Sequence, residues 1–136
     1  MLTLLIVDDD ELALRYLPKL LEAHFSVLTA EGAFDALRWL EEVPVDVLLS
    51  DFKLQVENGL WLLAQAQARF PATRRLLMSG QELRNLAEHQ RGGLFERFFS
   101  KPLEVLELVS VLCELASQSP RPASERRRIL RGGSVL

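Results

Sequence analysis

Short, nearly continuous apolar runs alternate along the chain with longer stretches in which apolar residues recur at helical spacing. The first run, residues 2–7, lacks the in-out alternation of a half-exposed strand and is typical of a strand covered on both faces. Four similar runs follow. The pattern predicts strands at residues 2–7, 25–29, 45–50, 75–78 and 95–100. It predicts helices carrying Leu14, Leu17 and Leu21 and then at residues 33–42, 60–69, 81–90 and 102–116.

Local signals at the element boundaries support this division. Asp10 is placed to cap the first helix, Asn58-Gly59 precedes the third, and Phe70-Pro71 ends it. Gly92-Gly93 turns the chain into the last strand, and Pro102 opens the last helix. Five strand-helix units predict an α/β fold. With right-handed crossovers, we expect a doubly wound, five-stranded parallel sheet of flavodoxin-like order 2-1-3-4-5, with helices on both faces.

Polar side chains follow four of the five predicted strands. Asp8 and Asp9 come after the first strand, Asp51 after the third, Ser79 after the fourth and Lys101 after the fifth. The carboxyl ends of parallel strands share one edge of the sheet, where open α/β folds bind ligands. The predicted strand order places strands 1 and 3 side by side, so the three carboxylates are expected to converge there.

Three neighbouring carboxylates favour a hard divalent cation, and magnesium suits an all-oxygen site that also receives a phosphate oxygen. A carboxylate can itself attack phosphorus and form an aspartyl phosphate. In such a centre Lys101 would supply positive charge and Ser79 a hydrogen bond to the phosphoryl oxygens. The residue types therefore predict a magnesium-dependent phosphoryl-transfer site.

This set of residues resembles the receiver domain of two-component response regulators over about residues 2–117. The resemblance implies that Asp51 is the phosphoacceptor and that Asp8, Asp9 and Asp51 bind Mg²⁺ together with the backbone carbonyl of Lys53. It also implies that Lys101 contacts the phosphoryl group. The bond from Lys101 to Pro102 is expected to be cis, as is usual in receivers.

The resemblance further implies a conformational switch rather than a turnover enzyme. Ser79 would be the switch hydroxyl and Phe98 would occupy the switch aromatic position, altering the surface of helix 4, strand 5 and helix 5. The expected phosphodonor is a sensor histidine kinase or a phosphotransfer protein. A downstream effector, or a second copy of the chain, would bind the switched surface.

Two positions depart from the family pattern. Receivers commonly have proline four residues after the acceptor, where this chain has Gln55, so the shape of that loop is less constrained. Phe98 lacks the hydroxyl of the tyrosine that is frequent at the switch position, so it can serve as an apolar plug but cannot make a phenolic hydrogen bond.

Two alternatives stay open on the sequence. A pseudo-receiver would keep the fold as a binding module without phosphorylation, which Gln55 leaves open although the acidic set is complete. A haloacid-dehalogenase-like phosphatase would use Asp8 as nucleophile and Asp10 two residues later, with a serine, a lysine and magnesium. That reading leaves Asp51 without a role, and the second acidic pair of such enzymes has no counterpart after Lys101.

Charge and composition narrow the setting. The chain has 136 residues, 26% of them charged and 49% hydrophobic, which indicates one globular domain. Before Pro120 the net charge is −7, and after it +4. The acidic body argues against nucleic-acid binding, and residues 118–136 are expected to be a basic tail or linker. A single cysteine and the lack of a long apolar run predict a cytoplasmic protein with no membrane contact.

Overall fold

The computed structural model of the protein describes residues 1–118, and the predicted basic tail lies, from residue 119 onward, outside the described residues. Five strands and five helices alternate along the chain. The strands are β1 (Thr3–Val7), β2 (Ser26–Ala30), β3 (Val47–Asp51), β4 (Arg74–Ser79) and β5 (Arg97–Ser100). The helices are α1 (Glu11–Leu21), α2 (Ala33–Glu42), α3 (Gly59–Arg69), α4 (Leu86–Arg91) and α5 (Val105–Gln118).

The strands form one parallel sheet in the order β2-β1-β3-β4-β5, which confirms the predicted fold class and strand order. Alternate residues of the central strands supply two cores. Leu4 and Ile6 face a cluster that includes α1 and α5, whereas Leu5 and Val7 face one that includes α2 and α3. All four side chains are completely buried, which explains why this strand is a continuous apolar run.

The fourth helix is shorter than predicted. The pattern indicated a helix over residues 81–90, but α4 begins at Leu86 and contains no buried residue. A loop precedes it, in which Gln81 donates its backbone N–H to the Ser79 hydroxyl and Asn85 has a left-handed φ of 58°. Leu83, in the loop, and Leu86, in the helix, are both partly buried and lie three residues apart. This separation is the same as in an amphipathic helix, which is why the pattern predicted too long a helix.

The start of the last helix also differs from the prediction. Pro102 does not open α5, which begins three residues later at Val105. The Lys101–Pro102 peptide bond is cis. Among the described residues, no helix is long and apolar enough to cross a lipid bilayer.

Candidate functional site

The carboxyl edge of the sheet brings three acidic residues together. Asp8 follows β1, Asp9 is next to it, and Asp51 is the last residue of β3, the neighbouring strand. Each offers one carboxylate oxygen to a cluster in which these oxygens all lie within 4.8 Å of one another. Asp8 is completely buried and Asp51 is 6% exposed, whereas Asp9 is exposed. The cluster is therefore rooted in the fold and open to solvent on one side.

Both oxygens of the buried Asp8 carboxylate have partners. Oδ1 accepts a hydrogen bond from the backbone N–H of Asp10 at 2.9 Å. Oδ2 accepts one from Lys101 Nζ at 2.7 Å. These two contacts compensate the loss of hydration that the Asp8 carboxylate suffers on burial. Without such partners, a buried carboxylate is strongly disfavoured.

Lys101 joins the two buried carboxylates. It follows β5, and its ammonium group lies 2.7 Å from Asp8 Oδ2 and 3.2 Å from Asp51 Oδ2. Burial lowers the pKa of Lys101, but the hydrogen bond and charge of Asp8, followed by those of Asp51, outweigh burial and raise it. Lys101 is therefore a fixed positive charge at neutral pH.

The carboxyl group of Asp51 is tuned by its surroundings. Its pKa is raised from 3.8 to about 6, mainly by burial and next by the charge of Asp8, while Lys101 acts in the opposite direction. At neutral pH the group is mostly ionised and can act as a nucleophile. A bound divalent cation would favour the ionised form further.

The donor set fits magnesium. Three carboxylates face one lysine, so the cluster retains net negative charge, and all its donor atoms are oxygens. Magnesium prefers such ligands and usually keeps several waters, which the solvent-exposed side beside Asp9 would admit.

Ser79 ends β4 next to this cluster and is held in a tight local turn. Its hydroxyl donates to the carbonyl of Gln81 at 3.0 Å and accepts from the N–H of Gln81 at 3.1 Å. Together with Lys101 and the half-buried Phe98, Ser79 lines a cleft between the β4–α4 loop and β5. Phe98 packs on the α2–α3 side of the sheet, while the adjacent Phe99 is buried on the other side.

Gly59 positions the Asp51 backbone, a role that sequence reasoning missed. A Cβ on this residue would lie 2.2 Å from the carbonyl oxygen of Asp51 and 3.0 Å from the Cα of Phe52. The N–H of Gly59 donates to the Phe52 carbonyl at 2.7 Å. The sequence marked Asn58-Gly59 only as a break before α3, since the close approach depends on the path of the loop in space.

Asp10 does not join the acidic cluster. Its carboxylate accepts a hydrogen bond from the N–H of Leu12 at 3.0 Å and caps α1, as predicted. The phosphatase alternative needs Asp8 and Asp10 as its working pair, whereas the structure pairs Asp8 with Asp51 through Lys101.

Comparison with known proteins decides the family. A family model for the response regulator receiver domain matches residues 4–112. The chain belongs to the response regulator receiver family. Receivers are signalling modules, and the curated relatives of this receiver are response regulators.

Two of these relatives are transcriptional regulators. The receiver is 29% identical over 127 residues to the transcriptional regulatory protein GlrR of Escherichia coli (strain K12). The aligned region covers 92% of this chain and 28% of GlrR. It is 30% identical over 124 residues to the DNA-binding transcriptional regulator NtrC of Azospirillum brasilense. This aligned region covers 90% of the chain and 26% of NtrC. The chain thus spans about a quarter of the length of these relatives.

Solved structures agree with the fold. The signal receiver domain of an HD domain-containing protein from Pseudomonas fluorescens Pf-5 superposes with a TM-score of 0.80 at 30% identity, over 86% of this chain and 95% of that one. A CheY-like receiver domain protein from Methanospirillum hungatei JF-1 has a TM-score of 0.81 at 24% identity, over 88% and 98% of the two chains, and supports the fold alone.

The loop after β3 contains two further predicted positions. Lys53 and Gln55 are both exposed, and the buried Leu54 between them anchors the loop in the core. Gln55, which stands where receivers commonly have proline, lines the same surface crevice as Asp9.

Proposed function

We propose that this receiver accepts a phosphoryl group on Asp51 from a phosphohistidine of a sensor histidine kinase or phosphotransfer protein. The observation that carries the proposal is the position of the Asp51 carboxylate, which lies 3.2 Å from Lys101 Nζ and shares a cluster with two further carboxylates. This arrangement combines a nucleophile, a fixed positive charge and a cation site at one edge of the sheet.

In the reaction, an oxygen of ionised Asp51 attacks phosphorus. The bond from phosphorus to the donor nitrogen breaks, and its electron pair stays on the imidazole, which is then protonated by solvent. The product is an aspartyl phosphate. Because the nucleophile is a carboxylate, this product is a reactive acyl phosphate. The raised pKa of Asp51, about 6, leaves most of the group ionised at neutral pH.

Asp8, Asp9, Asp51 and the backbone carbonyl of Lys53 would hold the magnesium ion. When bound, the ion would neutralise phosphoryl oxygens during transfer. Before transfer Lys101 balances the charge of Asp8 and Asp51, and its contact 3.2 Å from Asp51 leaves it beside the incoming group. Its positive charge then stabilises the charge that develops on the phosphoryl oxygens.

The Ser79 hydroxyl would change its hydrogen-bond partner when Asp51 is phosphorylated. To donate a hydrogen bond to the phosphoryl group, the hydroxyl must leave the carbonyl of Gln81, to which it donates at 3.0 Å. That change would loosen the loop before α4, a helix with no buried residue. Phe98 lines the same cleft as Ser79 and would move with it, altering the surface of α4, β5 and α5 toward an effector or a second copy of the chain.

A direct test is incubation with magnesium and acetyl phosphate, followed by intact-mass measurement. Transfer from this donor releases acetate, and we expect one added phosphoryl group on the wild type and none on Asp51→Asn. An unmodified wild type would favour the pseudo-receiver. Continuous release of phosphate from phosphomonoesters, abolished by Asp8→Asn but not by Asp51→Asn, would favour the phosphatase.

A further inference from the structure

One arginine joins the last two strands of the sheet to the end of the last helix. Arg74, the first residue of β4, donates from Nε and Nη2 to the two carboxylate oxygens of Glu96, at 2.8 and 2.6 Å. Glu96 immediately precedes β5. The same guanidinium group donates to the carbonyl of Leu115 at 3.2 Å and to the side-chain oxygen of Gln118 at 3.1 Å, both in α5. We call these four residues the Arg74 clamp.

The clamp supplies α5 with partners that the helix itself lacks. The last carbonyl groups of a helix have no partner within the helix, and a positive charge near them is favourable. Among the described residues of α5, the last turn contains no basic side chain. Arg74 therefore provides the charge and the donors from a neighbouring strand. The hydrogen bond to Glu96 raises the pKa of Arg74 more than its partial burial lowers it, so the charge is permanent.

A second ion pair between a strand and α5 provides a contrast. Arg97 of β5 donates to Glu114 of α5 at 3.4 Å, and these side chains are 47% and 50% exposed. An exposed single contact of this kind contributes little. The side chains of Arg74 and Glu96 are 22% and 39% exposed and share two short hydrogen bonds, an arrangement that is stronger and fixes direction. The Arg74 clamp is therefore the firmer of the two links.

The clamp lies at one end of a hydrogen-bonded strand pair whose other end is the candidate phosphorylation site. At the clamp, the N–H of Glu96 donates to the carbonyl of Arg75 at 2.8 Å. At the site, the N–H of Lys101 donates to the carbonyl of Ser79, also at 2.8 Å. Between these bonds β4 and β5 are paired in register. Because a closely packed interior has low compressibility, a displacement at one end of such a pair is transmitted to the other.

We propose that the Arg74 clamp couples phosphorylation to the end of α5. A displacement of β4 and β5 at the phosphorylation site reaches Arg74 through the strand pair, and Arg74 moves the last turn of α5, to which residues 119–136 are attached. The inference rests on the proposed function of Asp51 and adds a response at the opposite edge of the sheet. Arg74 contacts no reacting atom and acts as a positioning residue.

The test measures amide hydrogen exchange in the last turn of α5, residues 115–118, with magnesium and with or without acetyl phosphate. In the wild type we expect exchange there to change on phosphorylation by about fivefold or more, the lower end of usual coupling between sites. A clamp that only stabilised α5 would leave exchange equal in the two states.

The variants are Arg74→Lys and Arg74→Gln. Lysine keeps the positive charge but lacks the planar fork that reaches Glu96 and α5 together. Both variants should be phosphorylated at the wild-type rate and should keep the response over residues 80–91, but they should lose the response at residues 115–118. Arg74→Lys keeps a charge at the helix end and carries the comparison if Arg74→Gln is unstable. The matched control is Arg97→Gln, which removes only the exposed contact to α5 and should respond as the wild type does.

The outcomes separate this inference from the proposed function. Unchanged exchange at residues 115–118 in a wild type that intact mass shows to be phosphorylated, a wild-type response in the Arg74 variants, or an equal loss in Arg97→Gln would each overturn the coupling. Failure of acetyl phosphate to modify the wild type would instead overturn the proposed function, and this inference with it.

Discussion

The Ser79 hydroxyl and the Gln81 backbone are hydrogen-bonded in both directions. Ser79 Oγ donates to the Gln81 carbonyl at 3.0 Å and accepts from the Gln81 N–H at 3.1 Å. A hydroxyl has only one proton, so Ser79 cannot donate to a phosphoryl oxygen while it donates to Gln81. The bond to the Gln81 carbonyl is therefore the contact that phosphorylation should break.

Ser79→Ala should separate phosphorylation from the switch. We expect it to become phosphorylated by acetyl phosphate but to show no phosphorylation-dependent change in amide hydrogen exchange over residues 80–91. Ser79→Thr is the control, because it keeps the hydroxyl and should respond as the wild type does. An equal exchange response in Ser79→Ala would show that the loop senses phosphorylation by another route.

Lys101→Met should weaken both the fold and the reaction. It leaves the completely buried Asp8 and the nearly buried Asp51 without their shared cation. Because the lysine side chain is 26% exposed, solvent screens part of the loss, and we expect a decrease of about 1–2 kcal/mol in the free energy of unfolding without magnesium. Phosphorylation by acetyl phosphate should slow by roughly 10²-fold or more, as for loss of a transition-state charge contact.

Urea unfolding and the rate of mass increase measure these two effects. Lys19→Met is the matched control, since Lys19 is an exposed lysine on α1. Equal stability and rate for Lys101→Met and Lys19→Met would contradict the role given to Lys101.

Asp51 should make the magnesium-free protein less stable as pH rises. The pKa of Asp51 in the folded state, about 6, exceeds the ordinary value of 3.8, so the folded state binds more protons than the unfolded state between these two pH values. Stability from this group therefore falls as pH rises from about 4 to about 6, with an upper limit of about 3 kcal/mol. Asp51→Asn removes the ionisation and should be more stable than the wild type at pH 7.

Thermal unfolding from pH 4 to pH 7 in the presence of a chelator checks this sign. The difference in melting temperature between Asp51→Asn and the wild type should grow with pH, and magnesium should reduce it by stabilising only the wild type. A difference that does not vary with pH would mean that Asp51 is not a buried, destabilised carboxylate.

Gly59→Ala should disturb Asp51 without touching its side chain. The added Cβ would lie 2.2 Å from the Asp51 carbonyl oxygen. The nearest atoms all belong to the backbone of Asp51 and Phe52, so no flexible side chain can move aside to make room. We expect a loss of about 1–3 kcal/mol in the free energy of unfolding, as for other overpacked sites. The fully folded variant should also be phosphorylated more slowly at saturating magnesium.

Gly32→Ala provides the comparison. Gly32 has an extended backbone, with φ −147°, and a Cβ there would meet no atom within 4 Å. It should therefore unfold and react as the wild type does. If Gly59→Ala were equally benign, the loop would have another conformation, in which Gly59 does not abut Asp51.

The sequence was sufficient for the fold class and for candidate site residues because both depend on local patterns. A continuous apolar run marks a buried strand, and Asp8, Asp51, Ser79 and Lys101 follow such runs directly. The parallel sheet then places all four at one edge.

Other features depend on tertiary contacts that periodicity does not encode. Gly59 abuts Asp51 because of the path of a loop, and α4 starts only at Leu86, after a loop that holds the Ser79–Gln81 turn and the left-handed Asn85. Phe34 belongs to an amphipathic helix pattern, yet it is 53% exposed and its ring packs on Trp61 rather than in the core.

The role of Asp51 is tested most directly by locating the modified residue. The protein is incubated with magnesium and acetyl phosphate and then treated with borohydride, which reduces an aspartyl phosphate to homoserine, and the peptides are sequenced by mass spectrometry. If Asp51 is the phosphoacceptor, homoserine should appear at position 51 and nowhere else. Homoserine at position 8 or 9 with Asp51 intact, or no homoserine in a protein that is otherwise folded, would contradict it.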